Sequence, residues 1–185
     1  ISYDSSESVL LNRATQGLYA PGSTFKILTT LEYMRENKDY YDDFSYVCDG
    51  SDTEEGGTTI PCADGKVHKT ETLVKAFANS CNSAFSTMGD ELNLKKYIKT
   101  VNGLLFNEII PFDNFNTRDS NYCKKSRFVL NENSTQAEVA QTSIGQGETL
   151  VTPAHMAMLA AAIANKGVLM KPYMIDKVEN SNGTI

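Results

Sequence analysis

Ala20-Pro21-Gly22-Ser23-Thr24-Phe25-Lys26 is the stretch whose reading decides the rest. Pro-Gly closes the preceding segment, and Ile27, Leu28, Leu31 and Met34 follow at helical apolar spacing. A helix is therefore predicted from Ser23 to about Asn37-Lys38. Residues i and i+3 share a helix face, which brings the Ser23 hydroxyl within reach of the Lys26 amine. A hydroxyl becomes a nucleophile when a neighbour takes its proton, and a lysine does this once burial lowers its pKa. The helix start adds N–H groups and a partial positive charge that suit a developing oxyanion. Ser-x-x-Lys alone also fits a helix N-cap serine with a solvated lysine, so the reading depends on what accompanies it.

The 185 residues suffice for one domain with a core, and 41% hydrophobic with 22% charged residues is an ordinary globular composition. A net charge of −6 and a pI near 4.9, with scattered lysines, argue against nucleic acid as a partner. No apolar run has the length of a membrane span. An abrupt Ile1 start and an end just past the Asn182-Gly183 turn signal read as a piece of a larger protein, cut at both ends.

Working outward, Tyr40 to Lys69 is polar and glycine-rich. Asp64-Gly65, between Thr58-Thr59-Ile60 and Lys66-Val67-His68, predicts a small hairpin. Short helices are expected around Leu73–Ala78, from Cys81-Asn82 through Met88, and over Leu94–Val101 to a stop at Asn102-Gly103. Residues 104–134 read as loop and Thr135–Thr142 as a short helix. Thr152-Pro153 opens the clearest helix, stopped by Gly167. Val168 to Val178 reads as a C-terminal strand or two. The expectation is a mainly α piece with about six helices.

Ser80-Cys81-Asn82 supplies the residue types that an acyl-serine reaction needs beyond nucleophile and base. A second serine relays a proton, and an asparagine holds both an amide substrate and the lysine. A capped helix start is the plainer reading of this triplet.

Together these segments resemble class B penicillin-binding proteins. The resemblance rests on Asn12-Arg13-Ala14 through Lys26, on Ser80-Cys81-Asn82-Ser83-Ala84-Phe85, and on Gln141 through Glu148 with Val151-Thr152-Pro153 and the helix after it. It runs over nearly the whole chain in the family's order and implies that residues 1–185 are part of a transpeptidase domain. The implied fold is the helical subdomain of an α+β domain, packed on a five-stranded sheet with the active site between them. Ser23 would attack the penultimate D-alanine carbonyl of a peptidoglycan stem peptide. Lys26 would be the base, Ser80 a proton shuttle, and Asn82 the group that orients Lys26 and substrate. β-Lactams would acylate the same serine. The family further implies a membrane anchor outside this chain, a place on the extracytoplasmic face of the bacterial membrane, and cell-wall synthesis membrane proteins as partners.

The family's Lys-Thr-Gly strand has no counterpart here. Loss of the oxyanion donor it carries costs about 3–4 kcal/mol of transition-state stabilisation, so these residues alone are expected to be inactive or nearly so. A serine β-lactamase or β-lactam sensor is the neighbouring alternative. It needs a deacylating base, a loop glutamate or a modified lysine; Glu132 and Glu138 are candidates, though neither sits in a recognisable motif. A zinc-stapled interaction module without chemistry is the third.

Cys48, Cys62, His68 and Cys81 form a set of three thiols and one imidazole, the donors of tetrahedral structural zinc. A Cys48–Cys62 disulfide and free thiols are the alternatives. Convergence of Cys62 and His68 across a hairpin requires a three-residue turn; with two residues His68 points to the other face. The resemblance supports zinc, because some elongation-type members hold one with a ligand inside the second motif, where Cys81 stands. Cys123 reads as a free surface thiol, His155 as a capping or packing residue, and Asp42-Asp43 and Glu54-Glu55 as solvated loop charges.

Overall fold

All six predicted helices form, and their ends show why. The computed structural model describes residues 11–50, 60–112, 123–173, 176–177 and 179–180. The helices are α1 (Lys26–Glu36), α2 (Leu73–Ala78), α3 (Asn82–Glu91), α4 (Leu94–Gly103), α5 (Gln136–Ser143) and α6 (Pro153–Ala164). Thr72, Asn93, Thr135 and Thr152 each cap a helix by accepting a backbone N–H three residues on. Thr135 and Glu138 complete a capping box, and Pro153 occupies the first helical position of α6.

The chain divides into two compact units. Residues 20–104 and 127–150 form the one that carries α1 to α5. Its core gathers Phe25, Leu28, Ala84, Phe85, Met88, Tyr97, Val101, Phe128 and Ile144, all at most 5% exposed. Phe128 stacks on Phe25 at 6.1 Å and meets Tyr97 edge-on at 6.0 Å. The buried stripe of α1 is partly polar: Tyr97 and Thr29 hydroxyls lie 2.9 Å apart, and Thr29 donates onward to the Ser143 carbonyl. Since that bond uses the Thr29 proton, Tyr97 must donate to Thr29. The chain of bonds ties α1, α4 and the end of α5 together.

The second unit comprises residues 1–19, 105–126 and 151–185 and carries α6. Tyr19 and Val151 form an antiparallel bridge, and Ala154 N–H donates to the Ala14 carbonyl. His155 is fully buried with its ring 4.6 Å from that of Phe106, the packing role expected of it. Among the described residues no helix is long and apolar enough to cross a membrane.

Three expectations need correction. The hairpin does not form where Asp64-Gly65 pointed. Instead β1 (Ser45–Cys48) pairs antiparallel with β2 (Lys69–Thr72), Cys48 opposite Lys69. Asp64-Gly65 lies in a 3-10 turn over Ala63–Gly65, Lys66–His68 is not strand, and Thr58-Thr59 and Glu54-Glu55 lie outside the described residues. The turn residues bend the chain as their type requires; the ladder forms further out, where Glu71 and Cys48 can be buried. No strand forms in Val168–Tyr173; an extended segment becomes a strand only where a neighbouring strand meets its amides in a ladder. Met174, Ile175 and Val178 lie outside the described residues. Finally, Cys123 is a free thiol as expected but is buried, 4% exposed, because Lys124 N–H is drawn to the Thr15 carbonyl. Burial pushes its thiol pKa up.

Candidate active site

Ser23 stands in a 3-10 turn, Gly22–Phe25, that runs straight into α1. It does not cap the helix. Its side chain is exposed, whereas Lys26, one turn on, is only 2% exposed. A hydroxyl open to solvent within reach of a buried amine suits the nucleophile and base expected from Ser-x-x-Lys. The two reactive atoms lie 3.4 Å apart, a loose hydrogen bond of the kind that tightens when substrate arrives.

Lys26 Nζ is also the meeting point with the second motif. It donates to Asn82 Oδ1 at 2.7 Å, to the Ser80 carbonyl at 2.7 Å and to Ser80 Oγ at 2.9 Å. All four residues expected at the site are therefore brought together. The Asn82 amide is oriented from behind, because its Nδ2 donates to the Pro61 carbonyl at 3.1 Å; only Oδ1 is left to face the lysine.

The acceptor count has a chemical consequence. The Ser80 carbonyl and Asn82 Oδ1 can only accept, and they make the two shortest bonds. A neutral amine has two N–H groups and one lone pair. With both N–H groups engaged there, the lone pair faces the hydroxyls of Ser23 and Ser80, each of which can donate. Burial lowers the Lys26 pKa to about 8, against an upward pull from Cys62 and Cys81, so the neutral form is accessible near neutral pH.

Ser80 is presented by an unusual helix end. Ser80 N–H donates to the Phe77 carbonyl and Cys81 N–H to the Ala76 carbonyl, the paired bonds of a Schellman motif closing α2. The left-handed position of that motif normally holds glycine, and here it holds Ser80 at φ +53°. A non-glycine residue costs roughly 1–2 kcal/mol there. In return one residue turns both its carbonyl and its hydroxyl toward Lys26.

Cys81 follows at once, as the residue before α3, and its sulfur faces a different cluster. Cys48, Cys62, Cys81 and His68 offer three Sγ atoms and an imidazole nitrogen, all within 4.8 Å of one another. The separations are 3.9 Å for Cys48–Cys62, 3.6 Å for Cys62–Cys81, and 3.6 and 3.4 Å from His68 Nδ1 to Cys48 and Cys62. Zinc–sulfur bonds of about 2.3 Å at tetrahedral angles set sulfurs about 3.8 Å apart, so the set fits that ion. No cysteine is in a disulfide. The turn over Ala63–Gly65 brings Cys62 and His68 together without strand pairing. At Cys62 burial opposes ionisation, but the Ser83 N–H and hydroxyl, the Cys81 thiol and the Asn82 N–H outweigh it and hold the pKa below the usual thiol value. At Cys81 burial dominates; the Ala84 N–H does not offset it, and the Cys62 and Cys48 contacts push the same way, so its pKa is raised.

The carboxylates considered as deacylating bases are occupied elsewhere. Glu138 accepts from the Thr135 N–H and hydroxyl in the capping box, and exposed Glu132 pairs with Lys95 at 3.5 Å. Two further contributors emerge only from the structure. Pro61 carries no signal in the sequence. Gly145 lies in a glycine-rich segment, and the structure explains why glycine is needed there: its φ is +78°, and its carbonyl accepts the Gly22 N–H at 2.9 Å, beside the nucleophile.

Comparison with known proteins identifies the family. Residues 2–184 match the family described as penicillin binding protein transpeptidase domain. The peptidoglycan D,D-transpeptidase PbpA of Mycolicibacterium smegmatis is 29% identical over 181 residues, 95% of this chain and 35% of that protein. Stage V sporulation protein D of Bacillus subtilis is 31% identical over 157 residues, 84% of this chain and 23% of that protein. The chain thus spans about a third or less of these relatives' length. Among solved structures, the ceftriaxone acyl-enzyme of penicillin-binding protein A from M. tuberculosis superposes with a TM-score of 0.79 at 26% identity, covering 97% of this chain and 39% of that one. The D,D-transpeptidase domain of a peptidoglycan glycosyltransferase from Eggerthella lenta gives 0.79 at 29% identity, over 97% of this chain and 45% of that one.

Proposed function

Because the chain belongs to the penicillin-binding protein transpeptidase family, we propose that it carries the serine–lysine side of a peptidoglycan D,D-transpeptidase site. The observation that carries this reading is the convergence of Ser23, Ser80 and Asn82 on the one buried amine of Lys26.

Lys26, neutral, takes the Ser23 proton as Oγ bonds to the penultimate D-alanine carbonyl carbon of a stem peptide. The tetrahedral intermediate collapses, the C–N bond to the terminal D-alanine breaks, and Ser80 Oγ relays the proton from Lys26 to the leaving amine. The amine of a second stem peptide then attacks the acyl-serine ester, loses its proton along the same path, and returns Ser23 to its hydroxyl form. Asn82 holds Lys26 in place and offers its amide to the substrate. β-Lactams enter as acylating mimics of the dipeptide; penicillin-binding protein A of M. tuberculosis forms a ceftriaxone acyl-enzyme complex. Cell-wall synthesis membrane proteins are the proposed partners and the extracytoplasmic membrane face the proposed location.

Zinc belongs to the same reading. Cys48, Cys62, His68 and Cys81 would hold it. Bound, it supplies structural rigidity and no reacting group. Cys81 lies between Ser80 and Asn82, so whatever fixes its sulfur fixes both neighbours.

The test is covalent labelling by a fluorescent penicillin, in protein that continues through a Lys-Thr-Gly strand. Stoichiometric, slowly reversed labelling that is lost in Ser23→Ala supports the transpeptidase. Rapid turnover of the label points to a β-lactamase, and absence of labelling in folded protein to a non-catalytic module.

A further inference from the structure

The carboxylate of Glu71 has no part in the chemistry above, yet it is only 1% exposed. It sits in β2 opposite Tyr46 and makes no ion pair with a described residue. Among the described residues its side-chain bonds come from one group: Asn79 Nδ2 donates to both oxygens, at 2.9 and 3.3 Å. A buried carboxylate costs the fold unless its lone pairs are met, so such a pairing is held firmly.

Asn79 is the last residue before Ser80. Its backbone N–H donates to the Lys75 carbonyl and closes α2, while its side chain is anchored on the neighbouring strand. The fork therefore fixes the peptide that enters the left-handed Ser80. That conformation is unfavourable for serine, and a helix end free to relax would turn Ser80 out of it. With it would go the carbonyl and hydroxyl that face Lys26.

We propose that Glu71 and Asn79 are positioning residues for the acyl-transfer reaction, acting through Ser80. Their fork keeps Ser80 in the left-handed conformation that delivers its two oxygens to the lysine. This inference rests on the transpeptidase reading. Among the described residues neither side chain is hydrogen-bonded to Ser23 or Lys26, so the role is one of geometry.

A polarity swap tests it. Asn79→Asp faces Glu71 with a second carboxylate and breaks the fork. Glu71→Gln with Asn79→Asp restores a carboxylate–amide pair with donor and acceptor exchanged. The readout is fluorescent-penicillin kinetics on the full protein, with the first-order acylation constant separated from the initial dissociation constant, and melting temperature as the folding control. Asn79→Asp is expected to lower the acylation constant roughly tenfold to a hundredfold with little change in initial binding, and the double variant to recover most of the loss. Wild-type acylation by folded Asn79→Asp overturns the proposal, as does a folded double variant no faster than the single one. If Asn79→Asp does not fold, Asn79→Ala takes its place: slow acylation supports the role, and wild-type acylation overturns it. A wild-type protein that never labels fails the transpeptidase reading instead, so the two failures are distinguishable.

Discussion

The Gly145 carbonyl accepts the Gly22 amide hydrogen at 2.9 Å, and a Cβ placed on Gly145 would overlap the Gly22 carbonyl oxygen. Two backbones touch there with no room for a side chain, next to the residue that carries the nucleophile. Gly145 also has φ +78°, where an L-residue is strained whatever the space. Gly145→Ala should therefore lower melting temperature and push the Ser23 turn away from Lys26. A loss of roughly tenfold to a hundredfold in penicillin acylation is expected from a displacement of about 1 Å. Wild-type labelling by Gly145→Ala would show that the contact plays no part in placing Ser23.

The thiol–imidazole cluster makes a prediction about metal. A site with these separations should bind about one zinc per chain. The segment it clips together is poor in apolar residues, so binding free energy appears as folding free energy. Chelation should lower the melting temperature by roughly 10 °C, and His68→Ala should reproduce the shift with no further response to chelator. Less than about 0.2 zinc per chain after dialysis, with a melting temperature indifferent to chelator, would remove the metal from the account.

Local signals made the helices legible. Thr152-Pro153 and the Leu94–Tyr97–Val101 stripe depend on residues within a turn or two of each other, and the structure uses them as read; the Thr135–Glu138 capping box, equally local, emerges from the structure. The structure brings Ser23, Lys26, Ser80 and Asn82 together, and likewise Cys48, Cys62, His68 and Cys81; neither Ser-x-x-Lys nor the loose Cys/His spacing pointed there alone, and it was the company of the other segments that did. What the sequence did not disclose depends on distant partners. Pairing of Ser45–Cys48 with Lys69–Thr72 joins segments about twenty residues apart, and Asp64-Gly65 misled because a turn residue fixes a bend without fixing which strands flank it. Nothing in Asn-Ser-Cys asks for a left-handed serine; that follows from the end of α2. Cys123 sits in a polar stretch and is buried by contacts from Thr15, more than a hundred residues earlier.

Asp90, near the end of α3, is a stability prediction. One of its carboxylate oxygens is buried with no hydrogen-bond partner among the described residues. Burial, with help from the Glu91 charge, raises its pKa from 3.8 to about 6. Between those values the folded state binds more protons than the unfolded one, so stability falls as pH rises through that window. At neutral pH the ionised side chain is a cost. Asp90→Asn should melt higher than the parent at about pH 7.5, with the advantage fading toward about pH 4. Equal melting curves at both pH values would place the Asp90 charge in contact with solvent.

As the proposed base, Lys26 should set the pH dependence of acylation. Burial brings its pKa down to about 8 from 10.5. Below that value the nitrogen is an ammonium group, all its hydrogens are directed at acceptors, and it has no lone pair for the Ser23 proton. Above it the neutral amine donates to Asn82 and the Ser80 carbonyl and accepts from a hydroxyl. Acylation should therefore rise with pH and level off past an inflection near 8. Lys26→Arg keeps the positive charge but does not deprotonate in this range, so it should lose acylation at every pH. An inflection near 10.5 would mean that burial does not tune the lysine. A profile without an inflection, together with a labelling-competent Lys26→Arg, would assign the proton transfer to another group.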